Sequence, residues 1–155
     1  MAAGYSNQMP NPRTTIRLAD INDADDVWRL VQDFAATFRP KREAFYLTFR
    51  SLLESSQTLI LVAEQSSGSV VGYLLAHCRG SFLSNGPVTW VEEVMVAERA
   101  RRQGVGQALM TEVESWAELR GAAYVSLASR HASDFYRALA YKDAATFYKK
   151  ALNSK

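Results

Sequence analysis

Apolar positions along this chain recur with two different periods, and each change of period marks the edge of an element. Thr14–Leu18 alternates as a half-buried strand does. Val27, Leu30, Val31 and Phe34 fall at i, i+3, i+4 and i+7, one face of a helix, and Asn22 or Asp23 is available to cap it. Arg39-Pro40 breaks that helix. A second helix is expected over Lys41–Ser55, with Phe45, Phe49, Leu52 and Leu53 as its apolar side. Leu59–Glu64 and Val70–His77 read as strands joined at the turn Ser66–Ser69. A polar loop, Gly80–Pro87, leads to a strand over Thr89–Val96. Helical spacing returns at Val105, Leu109, Val113, Trp116 and Ala117, with Gly121 placed just past the helix end. A strand at Ala123–Ala128, a short helix at Ala132–Leu139 and a strand at Ala144–Tyr148 complete the pattern. The order β-α-α-β-β-β-α-β-α-β implies an α/β (α+β) fold built on a mixed sheet.

Composition narrows the function classes. The 155 residues are 48% hydrophobic and 22% charged, an ordinary globular balance with enough chain for one sizeable core. A net charge of +2 is too small to argue for nucleic acid. The single cysteine, Cys78, excludes an internal disulfide framework and a multi-cysteine zinc site, and reads as a small apolar residue at a strand end. The two histidines, His77 and His131, are far apart and match no metal motif, so no metal is expected. No run of 18 apolar residues exists to span a membrane. Residues 1–12 are polar and lack the apolar core of a targeting signal; a disordered tail on a cytoplasmic protein is expected.

Two stretches carry candidate chemistry. Arg101-Arg102-Gln103-Gly104-Val105-Gly106 lies between a strand and a helix start. A helix N-terminus presents unpaired N–H groups and a partial positive charge. Glycines let an anion approach the backbone, and the arginines add charge, so a phosphate site is expected there. The third glycine of a dinucleotide fingerprint and the G-K-[ST] of a nucleoside-triphosphate loop are both missing. The second stretch is Trp90–Val96, where Glu92 and Glu93 interrupt an apolar strand. Neighbours in a regular strand point to opposite faces, so one carboxylate is expected to meet a cleft, a cavity or a buried partner. Burial makes a carboxylate a better base. A general base for an amine proton is one reading; a partly exposed strand with salt-bridged glutamates is the other.

The R-x-x-G-x-G order resembles the signature of the GNAT superfamily, the general N-acetyltransferases, and the element order matches over residues 14–150. The resemblance implies one N-acetyltransferase domain over residues 13–155 and acetyl-CoA as co-substrate. It implies that Arg101, Arg102, Gln103, Gly104, Val105, Gly106 and Gln107 hold the pyrophosphate. The backbones of Val94, Met95 and Val96, on a strand that splays from its neighbour, would bind the pantetheine amides. The strand is similar to the E-[DE]-x-x-V strand of family members that acetylate small amines, which maps their glutamate onto Glu92, with Glu93 as the neighbouring candidate. Ala132–Tyr141 resembles A-x-x-F-Y-x-x-x-G-F, which maps the family's general acid onto Tyr136. The chain departs from that pattern at Ala140-Tyr141.

The function so implied is direct acetyl transfer to a primary amine, with a small molecule favoured as acceptor. A protein lysine or N-terminal amine is the alternative acceptor, and a non-catalytic acyl-CoA-binding module the alternative class. The cluster Arg39, Lys41 and Arg42 would favour an acidic acceptor and the glutamates a cationic one, so the acceptor is not readable from charge. No nucleic acid or membrane partner is expected, and a homodimer is possible because dimers are frequent in the family.

Overall fold

A computed structural model describes residues 13–35 and 37–152; the tail expected at residues 1–12 lies outside them. The elements are β1 (Thr14–Leu18), α1 (Ala24–Phe34), α2 (Arg42–Leu53), β2 (Thr58–Gln65), β3 (Val70–Arg79), β4 (Val88–Val96), α3 (Val105–Leu119), β5 (Val125–Leu127) and α4 (Ser133–Ala138). The strands form one sheet in the order β1-β2-β3-β4-β5. β1 to β4 pair antiparallel, and β5 joins β4 in parallel, the arrangement that a helical crossover such as α3 permits.

Helices cover both faces, so β2 is apolar on both. Leu59, Leu61 and Ala63 pack with Val105, Leu109, Met110 and Val113 of α3. Ile60 and Val62 pack with Val27 and Leu30 of α1 and Phe49 of α2. Cys78 is buried near the end of β3. Gly121 follows α3 with φ 70°, the left-handed conformation that its place past the helix end requires. Among the described residues, no helix is long and apolar enough to cross a membrane.

Two details differ from the pattern-based expectation. Neither Asn22 nor Asp23 caps α1 through its side chain. Asp20 accepts the Asn22 N–H at 2.7 Å and opens a single 3-10 turn, Ile21–Asp23, that runs into α1. Asp23 is buried and takes two guanidinium bonds from Arg17, both 2.8 Å, which hold its carboxyl below the usual range. The second difference is at Ala144–Tyr148, which forms no strand. Side chains hold this segment instead: Phe147 stacks on Trp90 at 6.2 Å, and Asp143 accepts from Arg137 at 2.9 Å.

Leu109 is fully buried between α3 and the sheet. Leu109→Ala is expected to lower unfolding free energy by about 2–5 kcal/mol. Urea denaturation measures it, and a loss below about 1 kcal/mol would contradict this packing.

Candidate active site

Both ladders of β4 change at one point. Gly72 faces Val96 and Leu75 faces Glu93, but the next residue, Ala76, faces Val91. Glu92 is therefore an extra residue, a β-bulge. On the other side, β5 pairs with β4 only over Thr89–Val91. Beyond Val91, no strand among the described residues lies beside the outer edge of β4.

The bulge decides which carboxylate meets the interior: simple alternation from Val91 would send Glu92, not Glu93, to the α1/α2 side. Val91 packs on the α3 side of the sheet, and after the bulge Val94 and Val96 do so too. Met95 goes to the α1/α2 side. Glu93, two residues before Met95, is brought to that same side, beside Tyr73.

Alternation along an antiparallel ladder also sorts the backbone. The Ala97 N–H donates to the Val71 carbonyl at 2.7 Å, so Ala97 and Met95 face β3 while Val94 and Val96 face away from it. The Val96 carbonyl accepts from Arg101 Nε at 3.0 Å. Of the three residues expected to offer backbone at the splayed edge, Val94 and Val96 do so. Met95 does not: its backbone turns to β3 and its side chain is buried against α1 and α2.

The open edge forms one wall of a cleft of about 420 Å³, lined by Val94, Val96, Arg101, Arg102, Gly104, Val105, Gly106 and Gln107, with Ala132, Phe135 and Tyr136 opposite. Gly104 is the N-cap of α3, at φ 78°; no side chain caps this helix and its first turn holds no acidic residue. The N–H groups of Val105, Gly106 and Gln107 have no intrahelical acceptor and are free to meet an anion. Arg102 is also left-handed, at φ 61°, which tightens the turn. Gly106 serves packing: a Cβ there would lie 3.1 Å from Phe135 Cζ, so its small size lets α4 close on α3. Gln103 does not line the cleft; its side chain bonds the Arg99 carbonyl at 3.3 Å and braces the turn from behind.

The three candidate acid–base residues stand in different surroundings. Glu92 is exposed. Glu93 is partly buried, and burial, with the nearby Glu92 charge, pushes its carboxyl above the usual range, an effect the Tyr73 hydroxyl partly offsets. Tyr73 itself is raised by burial and then by Glu93; its hydroxyl is buried near that carboxylate without a hydrogen bond of full geometry. Sequence patterning missed Tyr73, whose one signal is a phenol inside the apolar run Val70–Ala76. Tyr136 lines the cleft, and burial raises its pKa as well. The cleft brings Tyr136 together with the glycine turn, whereas Glu92 and Glu93 lie outside its lining, past the break in β4. Among the described residues, no group of three or more His, Cys, Asp or Glu could hold a metal ion.

The model of the acetyltransferase (GNAT) family matches residues 24–141 of this chain. The chain belongs to the GNAT family. A GNAT relative, the aminoglycoside N(6′)-acetyltransferase type 1 of Serratia marcescens, is 28% identical over 112 residues, 66% of this chain and 77% of that protein. Among solved GNAT structures, glucosamine-6-phosphate N-acetyltransferase from Arabidopsis thaliana superposes with a TM-score of 0.80 at 21% identity, covering 90% of this chain and 99% of that one. Ribosomal-protein-alanine N-acetyltransferase from Brucella melitensis gives 0.69 at 21% identity, covering 92% and 99%. At these identities the two structures speak for the fold, and the family match identifies an N-acetyltransferase.

The left-handed turn at Gly104 makes a prediction independent of catalysis. Gly104→Ala forces an L-residue into that conformation, at about 1–2 kcal/mol. Chemical denaturation is expected to show most of that loss, and an unchanged midpoint would mean the turn is not held as described.

Proposed function

We propose that this GNAT protein transfers the acetyl group of acetyl-CoA directly to a primary amine of a small molecule. The observation that carries the proposal is the coincidence of the two ladder breaks at Val91 and Glu92. An open strand edge and an uncapped helix N-terminus then share one cleft, with Glu93 just across the sheet. Gly104–Gln107 and the arginines suit a pyrophosphate. The backbone groups of Val94 and Val96 suit the amides of a pantetheine arm.

In this reading Glu93 takes the proton of the incoming ammonium. The amine nitrogen bonds to the acetyl carbonyl carbon, the carbon–sulfur bond breaks, the nitrogen gives up its second proton to water as the amide forms, and Tyr136 donates its hydroxyl proton to the departing thiolate. Water from the open side of the cleft restores that proton. Burial raises the proton affinity of Tyr136. Glu92 keeps the Glu93 proton affinity high and attracts a cationic acceptor. Positioning two substrates on either side of one gap supplies the larger part of the rate gain. The Serratia relative, whose name describes an aminoglycoside acetyltransferase, supports a small amine.

The coenzyme half is tested by linkage. Acetyl-CoA at about 100 times its Kd is expected to stabilise the protein by about 2.7 kcal/mol, and Gly106→Val, which fills the cleft, to remove that gain. Equal stabilisation of the variant would place the coenzyme elsewhere.

The acid–base half is tested with an amine panel that includes an aminosugar and a peptide N-terminus. Glu93→Gln is expected to lower kcat/KM by about 10²–10⁴-fold and to remove the acid limb of the pH profile; Tyr136→Phe is expected to lower kcat comparably while sparing coenzyme binding. A loss under about tenfold in Glu93→Gln, with a larger one in Glu92→Gln, would move the base to Glu92. Stability gives a second reading of Glu93. Its folded pKa is raised, so the ionised carboxylate costs stability as pH climbs through that value, and nothing below the unfolded value of about 4.3. Glu93→Gln is therefore expected to match the wild type near pH 4 and to exceed it at pH 7 in denaturation midpoint; a variant less stable at pH 7 would deny the burial penalty.

A further inference from the structure

The end of α4 closes against its local preference. The Tyr141 N–H donates to the Tyr136 carbonyl, and the Ala140 N–H to the Arg137 carbonyl, both at 3.0 Å. This pair of bonds is a Schellman ending, which needs a left-handed residue at its apex and favours glycine there. Here the apex is Ala140, at φ 68°, a conformation that a Cβ disfavours. Something outside the turn must hold it shut.

Tyr141 is placed to do so. Its ring meets Tyr136 edge to face, with centroids 5.9 Å apart at 74°. Its hydroxyl donates to Glu114 Oε1 on α3 at 2.9 Å. The same helix begins at the glycine turn, so the free N–H groups of the cleft and the ring of Tyr136 are tied to one rigid element. Tyr136 needs such a tie. Among the described residues, it alone lines both the 420 Å³ cleft and a larger, open cavity of about 1500 Å³ that also borders Glu114 and Tyr141. A side chain with space on two sides is not fixed by packing alone.

We infer that Tyr141, bonded to Glu114, is a positioning residue that sets the Tyr136 hydroxyl relative to the α3 N-terminus; the inference rests on the acetyl-transfer reading above. A phenylalanine at 141 would keep the ring contact and lose the anchor. The strained apex and the anchoring hydroxyl then form a compensating pair: the hydroxyl is needed because Ala140 does not close the turn by itself.

Three variants of the full chain test this: Tyr141→Phe, Glu114→Ala and Ala140→Gly. Tyr141→Phe is expected to lower kcat about tenfold, the scale of a small misplacement, with acetyl-CoA affinity by calorimetry unchanged. Glu114→Ala should do the same, and the double variant should be no worse than either single, because both remove one bond. Adding Ala140→Gly to Tyr141→Phe should restore most of kcat, since glycine closes the turn unaided. Multiplying losses, a Tyr141→Phe kcat equal to wild type, or a parallel loss of coenzyme affinity would each overturn the inference. Amide hydrogen exchange of residues 136–141 needs no acceptor amine: it should quicken in Tyr141→Phe and slow again with Ala140→Gly, and unchanged exchange overturns the tether. A wild type that binds acetyl-CoA and acetylates no amine would refute the acetyl-transfer reading, while the exchange pattern still judges the tether.

Discussion

The organisation of this molecule depends on a strand that stops pairing half-way along. β4 is bonded on both sides as far as Val91; from Glu92 on, it keeps β3, with a register shift, and loses β5. Backbone polar groups inside a domain must be satisfied by something. An interrupted ladder therefore creates a demand for hydrogen bonds at a fixed place and direction. The uncapped start of α3 creates a second demand a few residues later. The coenzyme proposed above, with amides at one end and phosphates at the other, would answer both, and a ladder continued through Val96 would leave neither room nor need for it.

The bulge also sorts the ionisable groups. It turns Glu93 toward the α1/α2 layer, where burial raises its proton affinity, and leaves Glu92 in solvent. Tyr136 stands on the α3 side, in the cleft. The two groups proposed as proton acceptor and proton donor thus lie on opposite sides of the sheet, with the gap between β4 and β5 between them. Two carboxylates next to each other in sequence acquire different chemistry because one extra residue changes the face that the second one meets.

Much of this was legible in the chain. The periodic run from Val105 to Ala117 and the R-x-x-G-x-G turn are local features, and local features survive translation into structure. The glycine turn and eight of the ten coenzyme contacts expected around it line one cleft. Met95 could not be placed, because its orientation depends on a bulge defined by the partner strand and not by its own neighbours. Tyr73 was invisible for the same reason: in register it faces Met95, and it comes near Glu93 only because the bulge puts both side chains on one side of the sheet. Ala144–Tyr148 has the composition of a strand yet forms none, since strand formation needs a neighbour and the aromatic contact of Phe147 with Trp90 holds the segment instead. The departure at Ala140-Tyr141 was plain in the sequence, but its compensation by Glu114, 27 residues away, was not.

An open strand edge has a cost unrelated to catalysis. Unpaired carbonyls and amides in a row are a template for another chain to add a strand, which is how edges seed aggregation. β4 exposes only a short stretch of such backbone, and in the free protein Arg101 bonds the Val96 carbonyl within it. A charged side chain laid across the last carbonyl interrupts the row where a foreign strand would have to register. The arginine of the turn thus occupies, in the free protein, the one carbonyl where an added strand would begin its register, besides contributing charge to the cleft.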